Sequence, residues 1–455
     1  MSNVEKYRAA CGRIRAPEDW KRKTAARMEQ AAARPRKRPH PPKWAWAPAA
    51  AVLLAAALLL PPLLNPTAVQ AKENLMEGVS AQKREIPEEP GADFVSAQAD
   101  FGVQLLQKTA VKNKNALISP ASVALALGMT ANGAKGETLA QFEALLGGGM
   151  DLPALNQNFA SEQKALRSAA GGKFLLANSI WYRNKNLTVE KPFLQANADF
   201  FGAGAFQLDF SDPQTPGKIN AWVRKNTDGK IDRMVEQIDP EDMMYLINTL
   251  YLEQDWKVPY SGSTKAAFHA PGGDRNVPMM NSSETYLHGE GAQGILKPLK
   301  DSRLAFAAVL PKEGTSLEDF VAGFSGEKFL NLMRSARNEK AIATLPKFKF
   351  DCDLPLKDAL VSLGLSDAFD PGKADFSAMG TSSLGNLFVS EVLHKTFIEV
   401  DELGIKAGAA TEVAIEAASA PLRSLVFDRP FLIAVVDTKT LLPVFLGAVA
   451  DPSAG

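Results

Sequence analysis

The chain has 455 residues, 46% of them hydrophobic and 8% aromatic, enough for a large buried core. Its 51 Lys and Arg balance 51 Asp and Glu, which excludes the one-signed basic face of a dedicated nucleic-acid binder. Two cysteines, Cys11 and Cys352, exclude a disulfide scaffold and a cysteine-built metal centre.

The neutral total hides an asymmetry. Residues 21–43 hold nine Lys and Arg against one acid, Glu29. The next 21 residues, 44–64, carry no charge. That length spans a bilayer core as a helix, and Trp44 and Trp46 stand where an interfacial aromatic belt would be. The positive-inside rule then keeps residues 1–43 cytoplasmic and places everything after the apolar run outside. The alternative is a signal peptide cleaved near Ala71, after the permissive Val69-Gln70-Ala71. Both readings export the rest of the chain. Residues 65–92, charged and punctuated by Pro87 and Pro90, read as a linker.

From residue 93 to the end at 455 the pattern is that of a folded domain. Phe94, Ala97, Phe101, Leu105 and Leu106 recur at helical spacing and predict an opening helix. Ser119-Pro120-Ala121-Ser122 is a cap-and-start signal for an apolar helix over 123–129. Strand-like runs follow at 174–182, 246–252, 303–310, 342–350, 387–400 and 424–436. Helical stretches separate the earlier runs, and strands dominate the C-terminal part. This order predicts an α+β fold with large antiparallel sheets, not a doubly wound parallel sheet.

A catalytic site is not legible. The four histidines are His40, His269, His288 and His394. There is no G-x-S-x-G elbow, no H-E-x-x-H and no paired Cys/His spacing. Residues 289–294 fit G-x-G-x-x-G but precede a strand-like run, and they read as a turn. Nothing joins a nucleophile to a base, so the chain is not read as an enzyme, and no cofactor or metal is implied.

The informative segment is 404–419, GIKAGAATEVAIEAAS. One alternating set, Ile405, Ala407, Ala409, Thr411, Val413, Ile415 and Ala417, is apolar except for a β-branched Thr. The other, Lys406, Gly408, Ala410, Glu412, Ala414, Glu416 and Ala418, is charged or small. This is the period of a strand with one buried face. Yet residues 407–410 have no bulk to pack, and Gly408 weakens a strand. The stretch is written as a strand but is soft enough to exist as a loop; an exposed Ala-rich helix is the plain alternative.

Several motifs carry a family resemblance. Asn115-Ala-Leu-Ile-Ser-Pro-Ala-Ser122 with Gly133-Ala-Lys-Gly-Glu-Thr138 resembles the N-x-x-x-S-P-x-S…G-A-x-G-x-T block of serpins. Asn248-Thr-Leu-Tyr-Leu-Glu-Gln-Asp-Trp256 resembles their N-x-x-x-F-x-x-x-W strand, with Leu252 in place of Phe. Val277-Pro-Met-Met280, Leu345-Pro-Lys-Phe348 and Leu363-Gly-Leu-Ser-Asp-Ala-Phe369 occur in the same order. His394-Lys-Thr-Phe-Ile-Glu-Val-Asp-Glu-Leu-Gly404 resembles the strand that leads into the reactive loop. Asp428-Arg-Pro-Phe431 and Phe445-Leu-Gly447 resemble the C-terminal signature. The resemblance, to the bacterial type, covers about residues 93–452.

It implies three β-sheets, eight or nine helices and an exposed reactive-centre loop. It also implies a monomer that inhibits a serine protease as a suicide substrate, the cleaved loop inserting as a new sheet strand. Family counting puts the hinge start at Glu402 and runs it through Gly404, Ile405, Lys406, Ala407, Gly408, Ala409 and Ala410. The scissile bond falls between Ala418 and Ser419, or one residue later by counting back from Pro430-Phe431. Either count offers a small side chain, suited to elastase-like or subtilisin-like pockets. Two hinge positions depart from the family pattern: Ile405 stands where Thr, Ser or Val is common, and its bulk is expected to slow insertion; Lys406 stands where Glu is common. Ser119, Ser122, Asn248 and His394 map beneath the large sheet where its central strands part, with Trp256 near the top. A non-inhibitory serpin, acting as a binding protein or a protease substrate, is the rival reading.

Overall fold

The computed structural model describes residues 73–168, 172–300, 303–337, 339–383, 385–405 and 423–454. The basic leader, the apolar run 44–64, the hinge residues Lys406, Ala407, Gly408, Ala409 and Ala410, and the reactive bond at Ala418 and Ser419 lie outside them. Nine α-helices occur among the described residues: α1 (Ala92–Thr109), α2 (Pro120–Ala131), α3 (Gly136–Gly147), α4 (Leu152–Ser168), α5 (Lys191–Phe200), α6 (Thr215–Asn226), α7 (Leu317–Ala322), α8 (Gly326–Arg334) and α9 (Lys357–Ser362). The expected opening helix is α1, and it buries Phe94, Phe101, Leu105 and Leu106 along one stripe. The cap-and-start signal gives α2: the Ser119 hydroxyl accepts from the Ser122 amide at 3.3 Å, and all twelve α2 residues are buried.

The strands in chain order are β1 (Ala116–Ile118), β2 (Lys173–Arg183), β3 (Leu187–Val189), β4 (Gly204–Leu208), β5 (Met244–Asp255), β6 (Ser263–Ala270), β7 (Gly273–Gly289), β8 (Ala292–Pro298) and β9 (Leu304–Pro311). They continue as β10 (Lys340–Pro346), β11 (Phe348–Pro355), β12 (Gly380–Ser382), β13 (Glu391–Val400), β14 (Gly404–Ile405), β15 (Arg423–Val426), β16 (Phe431–Asp437) and β17 (Pro443–Val449). They form three sheets. A six-stranded sheet runs β11-β13-β14-β5-β2-β4, and a nine-stranded sheet runs β1-β17-β16-β9-β8-β7-β10-β15 with β6 paired to β7. β12 and β3 make a third pair.

Three expected runs are divided differently. Residues 342–350 hold two strands in different sheets, β10 and β11, parted at Lys347, whose amide turns away to the Pro278 carbonyl. Residues 424–436 are broken before Pro430, which cannot donate to a ladder. Residues 387–400 become a strand only from Glu391. The hairpin β6–β7 escapes a reading based on apolar runs, because many of its positions meet solvent, among them Lys265 and Asn276.

Two apolar layers flank the six-stranded sheet. Between the two large sheets, Leu250, Leu252, Ile398 and Val400 pack with Phe306, Ile433 and Phe445. On the outer face, α6 lays Ile219 and Val223 over Trp181, Tyr245 and Ile247. The stretch read as a linker has no long element in its described part, but it is tied to the body. Leu75 donates to the Ala205 carbonyl at 2.9 Å, Glu73 pairs with Lys218 at 2.7 Å, and Arg84 with Asp199 at 2.7 Å. Arg303 bridges Glu89 (2.6 Å) and the buried Asp437 (2.7 Å). Replacing Arg303 by Met strands the Asp437 carboxylate without its cation. The expected cost is on the order of 3 kcal/mol, read as a lower urea midpoint; an unchanged midpoint refutes this account of the bridge.

Candidate functional site: where the six-stranded sheet parts

β13 and β5 are neighbours that diverge. In their lower halves they pair directly and in parallel, Glu391 to Lys395 against Tyr245 to Thr249. Above this they separate, and β14 fills the wedge. Ile405 sits opposite Val400 on one side and Gln254 on the other. Only 3% of Ile405 is exposed, and it belongs to the layer between the large sheets. Gly404 is required by close approach: a Cβ there would lie 2.4 Å from the Gln254 carbonyl oxygen.

The turn that launches β14 is held at several points. The Asp401 carboxylate accepts from the amides of Leu403 (2.8 Å) and Gly404 (3.2 Å). The Trp256 amide donates to the Leu403 carbonyl and the Tyr260 amide to the Glu402 carbonyl, each at 2.8 Å. The Trp256 indole N–H donates to the Asp401 carbonyl at 2.9 Å. Glu402 accepts from Lys347 Nζ at 2.6 Å and from the Ser263 hydroxyl at 2.8 Å. Burial alone would raise the Glu402 carboxyl, but these hydrogen bonds outweigh it and hold the group below its ordinary value.

Lower down, under the paired halves, lies a buried polar set. The Ser119 amide donates to His394 Nε2 at 2.9 Å, and its hydroxyl donates to the Val444 carbonyl at 2.7 Å. The Ser122 hydroxyl donates to Asn248 Oδ1, while Asn248 Nδ2 donates to the Ser122 carbonyl (2.7 Å) and to Asn178 Oδ1. Because Nε2 accepts, the His394 proton sits on Nδ1, and Nδ1 is buried without a partner. Desolvation drives the imidazole down to about 3, so it is neutral at physiological pH.

The structure therefore gathers Ser119, Ser122, Asn248 and His394 into one cluster and puts Trp256 with Glu402, Gly404 and Ile405 in another, higher on the same parting. Sequence reasoning missed Asn178, hidden in an apolar run. It also missed Asp401 as the turn's organiser. Lys347 was present in the Leu345-Pro-Lys-Phe348 motif, but nothing there pointed to Glu402.

A family model described as serpin (serine protease inhibitor) matches residues 96–452. The chain belongs to the serpin family. An uncharacterised serpin-like protein of Thermococcus kodakarensis is 30% identical over 374 residues, covering 79% of this chain and 86% of that one. The crystal structure of the thermophilic serpin tengpin in its native state matches with a TM-score of 0.79 at 40% identity, covering 83% of this chain and 99% of tengpin. Tengpin in its latent state matches with a TM-score of 0.69 at 37% identity, covering 81% and 99%. Serpins are in general protease inhibitors rather than catalytic enzymes, and some are not inhibitory. The three sheets and nine helices agree with the serpin architecture expected above.

Two buried titratable groups give this serpin opposed pH responses. His394 is depressed to about 3 from the ordinary 6.5, so the unfolded chain binds the extra proton between these values. Stability then rises with pH across that window, by up to about 1.4 kcal/mol per pH unit. Glu162, in α4, is raised to about 8 from 4.5, by desolvation first and then by Asp437. The folded chain holds that proton, so this contribution falls as pH rises from about 4.5 to 8. His394→Gln is expected to flatten the acid side of a thermal-midpoint profile and Glu162→Gln the side toward pH 8; profiles parallel to wild type would refute both assignments.

Proposed function

We propose that this serpin is an extracytoplasmic suicide-substrate inhibitor of elastase-like or subtilisin-like serine proteases. In this reading the protease serine attacks the carbonyl of Ala418, or of Ser419, and forms an acyl ester while the new amine leaves with a proton. The freed loop then enters the parting between β13 and β5, and the protease is carried along before water cleaves the ester.

The observation that carries the reading is a coincidence of register. Ile405 is opposite Val400 and Gln254. Continuing β14 as an antiparallel strand takes one step back along both neighbours for each residue added. Six steps bring Thr411 between His394 and Asn248, and these two are already partners in the parallel pairing. The receiving strands therefore need only move apart sideways; neither must slide along the other.

The same count sorts the side chains. Val392, His394, Thr396, Ile398 and Val400 are the buried alternate residues of β13. Ala407, Ala409, Thr411 and Val413 would join them on the core face, and Thr411 would bring a hydroxyl to the unpartnered His394 Nδ1. Lys406 would land on the other face between Glu399 and Glu253, so the unusual hinge cation meets two carboxylates. The basic leader and apolar run support a single-pass tether through residues 44–64 with the serpin domain outside; a leader cleaved near Ala71 would secrete the domain instead.

The direct test incubates the full chain with a panel of serine proteases. A denaturation-resistant adduct and a released peptide beginning at Ser419 or Ala420 are expected, and nicking at this site should raise the melting temperature. Cleavage with no adduct and no gain in heat resistance would favour the non-inhibitory reading. Thr411→Arg should leave the bond cleavable but abolish the adduct, because an unpaired guanidinium would have to enter the core. Lys406→Glu should increase the inhibitor consumed per protease several-fold, and adding Glu399→Gln with Glu253→Gln should recover part of the loss.

A further inference from the structure

β8 carries a lysine in an unexpected place. Lys297 is 1% exposed, and its ammonium lies 2.5 Å from Glu284 Oε1, itself only 5% exposed. The ammonium also donates to the Val258 carbonyl at 2.9 Å. It stands 4.1 Å from the ring centre of Tyr260 and 5.3 Å from that of Trp256. Isolation from water pulls Lys297 below the ordinary lysine value while Glu284 opposes the shift. The cost of taking an ion pair this far from solvent is offset only by close pairing and further hydrogen bonds to the charges, and here the Val258 carbonyl supplies one.

The element it holds is the segment 256–260. That segment supplies the three bonds that grip the loop's launching turn: the Trp256 amide to Leu403, the Trp256 indole to Asp401 and the Tyr260 amide to Glu402. Lys297 fixes the segment from beneath through the Val258 carbonyl and both rings, and the Lys257 amide adds a bond to the Pro298 carbonyl at 3.0 Å. The chain of contact therefore runs Glu284, Lys297, residues 256–260, residues 401–403, Ile405.

We propose that Lys297 is a positioning residue for loop insertion, with Glu284 as the counter-ion that keeps it charged in place. It holds the 256–260 platform so that the turn at 401–404 presents Ile405 already in register between β13 and β5. The proposal rests on the inhibitory reading above. It assigns the pair an effect on how fast the cleaved loop inserts, and none on how fast the loop is cut, since the ion pair lies in β7 and β8 and the cut is in the loop beyond the hinge.

The deciding variant is the full chain with Lys297→Met and Glu284→Gln together, which removes the grip on Val258 without leaving a buried charge alone. The expected result is an unchanged rate of loop cleavage, a several-fold rise in inhibitor consumed per protease trapped, and a slower gain of heat resistance after nicking. Glu284→Gln alone leaves the buried ammonium without its counter-ion and is expected to shift the partition the same way, with a larger loss of native stability than the double variant. A purely structural role would lower the native melting temperature without changing the partition between trapping and turnover. The proposal is overturned if the double variant partitions and acquires heat resistance as wild type does, or if it only lowers the native melting temperature. Should wild type trap no protease, the inhibitory reading fails, and the rate of heat-resistance gain after nicking still judges the platform.

Discussion

Five residues of β13 lie against five of β5 in parallel, and the proposed loop insertion turns on that contact. It is the pairing that an inserted strand would have to part. An inserted strand would replace one ladder by two and add apolar side chains to a layer already built from Ile398, Val400, Leu250 and Leu252. Each ladder bond is worth about 0.5–1.5 kcal/mol net, so the native pairing is the poorer arrangement by several bonds. In the proposed mechanism a barrier holds that difference back until the loop is cut.

The wedge at the top gives that barrier its shape. Sequence reasoning expected Ile405 to obstruct insertion by its bulk. In the structure that side chain is 3% exposed and packed in the layer between the large sheets. Beyond Lys406, residues 407–410 are small, and small side chains pass between strands with little steric cost. Under the proposed function the departure at Ile405 would be a strand started in place, held there by the close fit of Gly404 to Gln254 and by the grip of Trp256 and Tyr260 on residues 401–403.

Much of this was legible from residues alone, for identifiable reasons. The period-two writing of 404–419 lies outside the described residues beyond Ile405, but β13, which alternates buried and half-buried residues without a break, would require the same alternation of a strand laid beside it. The Ser119 cap could be read because capping is local chemistry. Asn178 and Lys297 could not be read. Each stands in a run whose neighbours are apolar, and each becomes polar machinery only through partners about 13 to 70 positions away, Glu284 for Lys297 and Asn248 for Asn178. Pairings across sheets of this size are set by topology, and a single strand's pattern carries no mark of its partner's charge. The break at Lys347 was missed for a related reason: two consecutive strands with similar residues look like one until they join different sheets, whereas β15 and β16, parted before Pro430, take separate places in the same sheet.

The lower end of the parting sets a limit that the upper end does not. Continuing the register places Glu412 between Leu393 and Ile247, on the outer face. Ile247 lies in the apolar layer under α6, and Leu393 packs against it. A carboxylate arriving there would lose its water unless a cation meets it. Lys395 is the neighbour able to do so: it is two residues from Leu393 on the same face, its ammonium now shared between the Asp353 carboxylate and the Arg233 carbonyl at 3.3 and 3.4 Å. In the proposed mechanism, insertion past Thr411 would be eased if Lys395 changed partners or if the segment carrying Arg233 and α6 lifted from the sheet. Ile405 is already packed at the top of the parting, so on that mechanism resistance to the passage of a strand would be concentrated beneath α6.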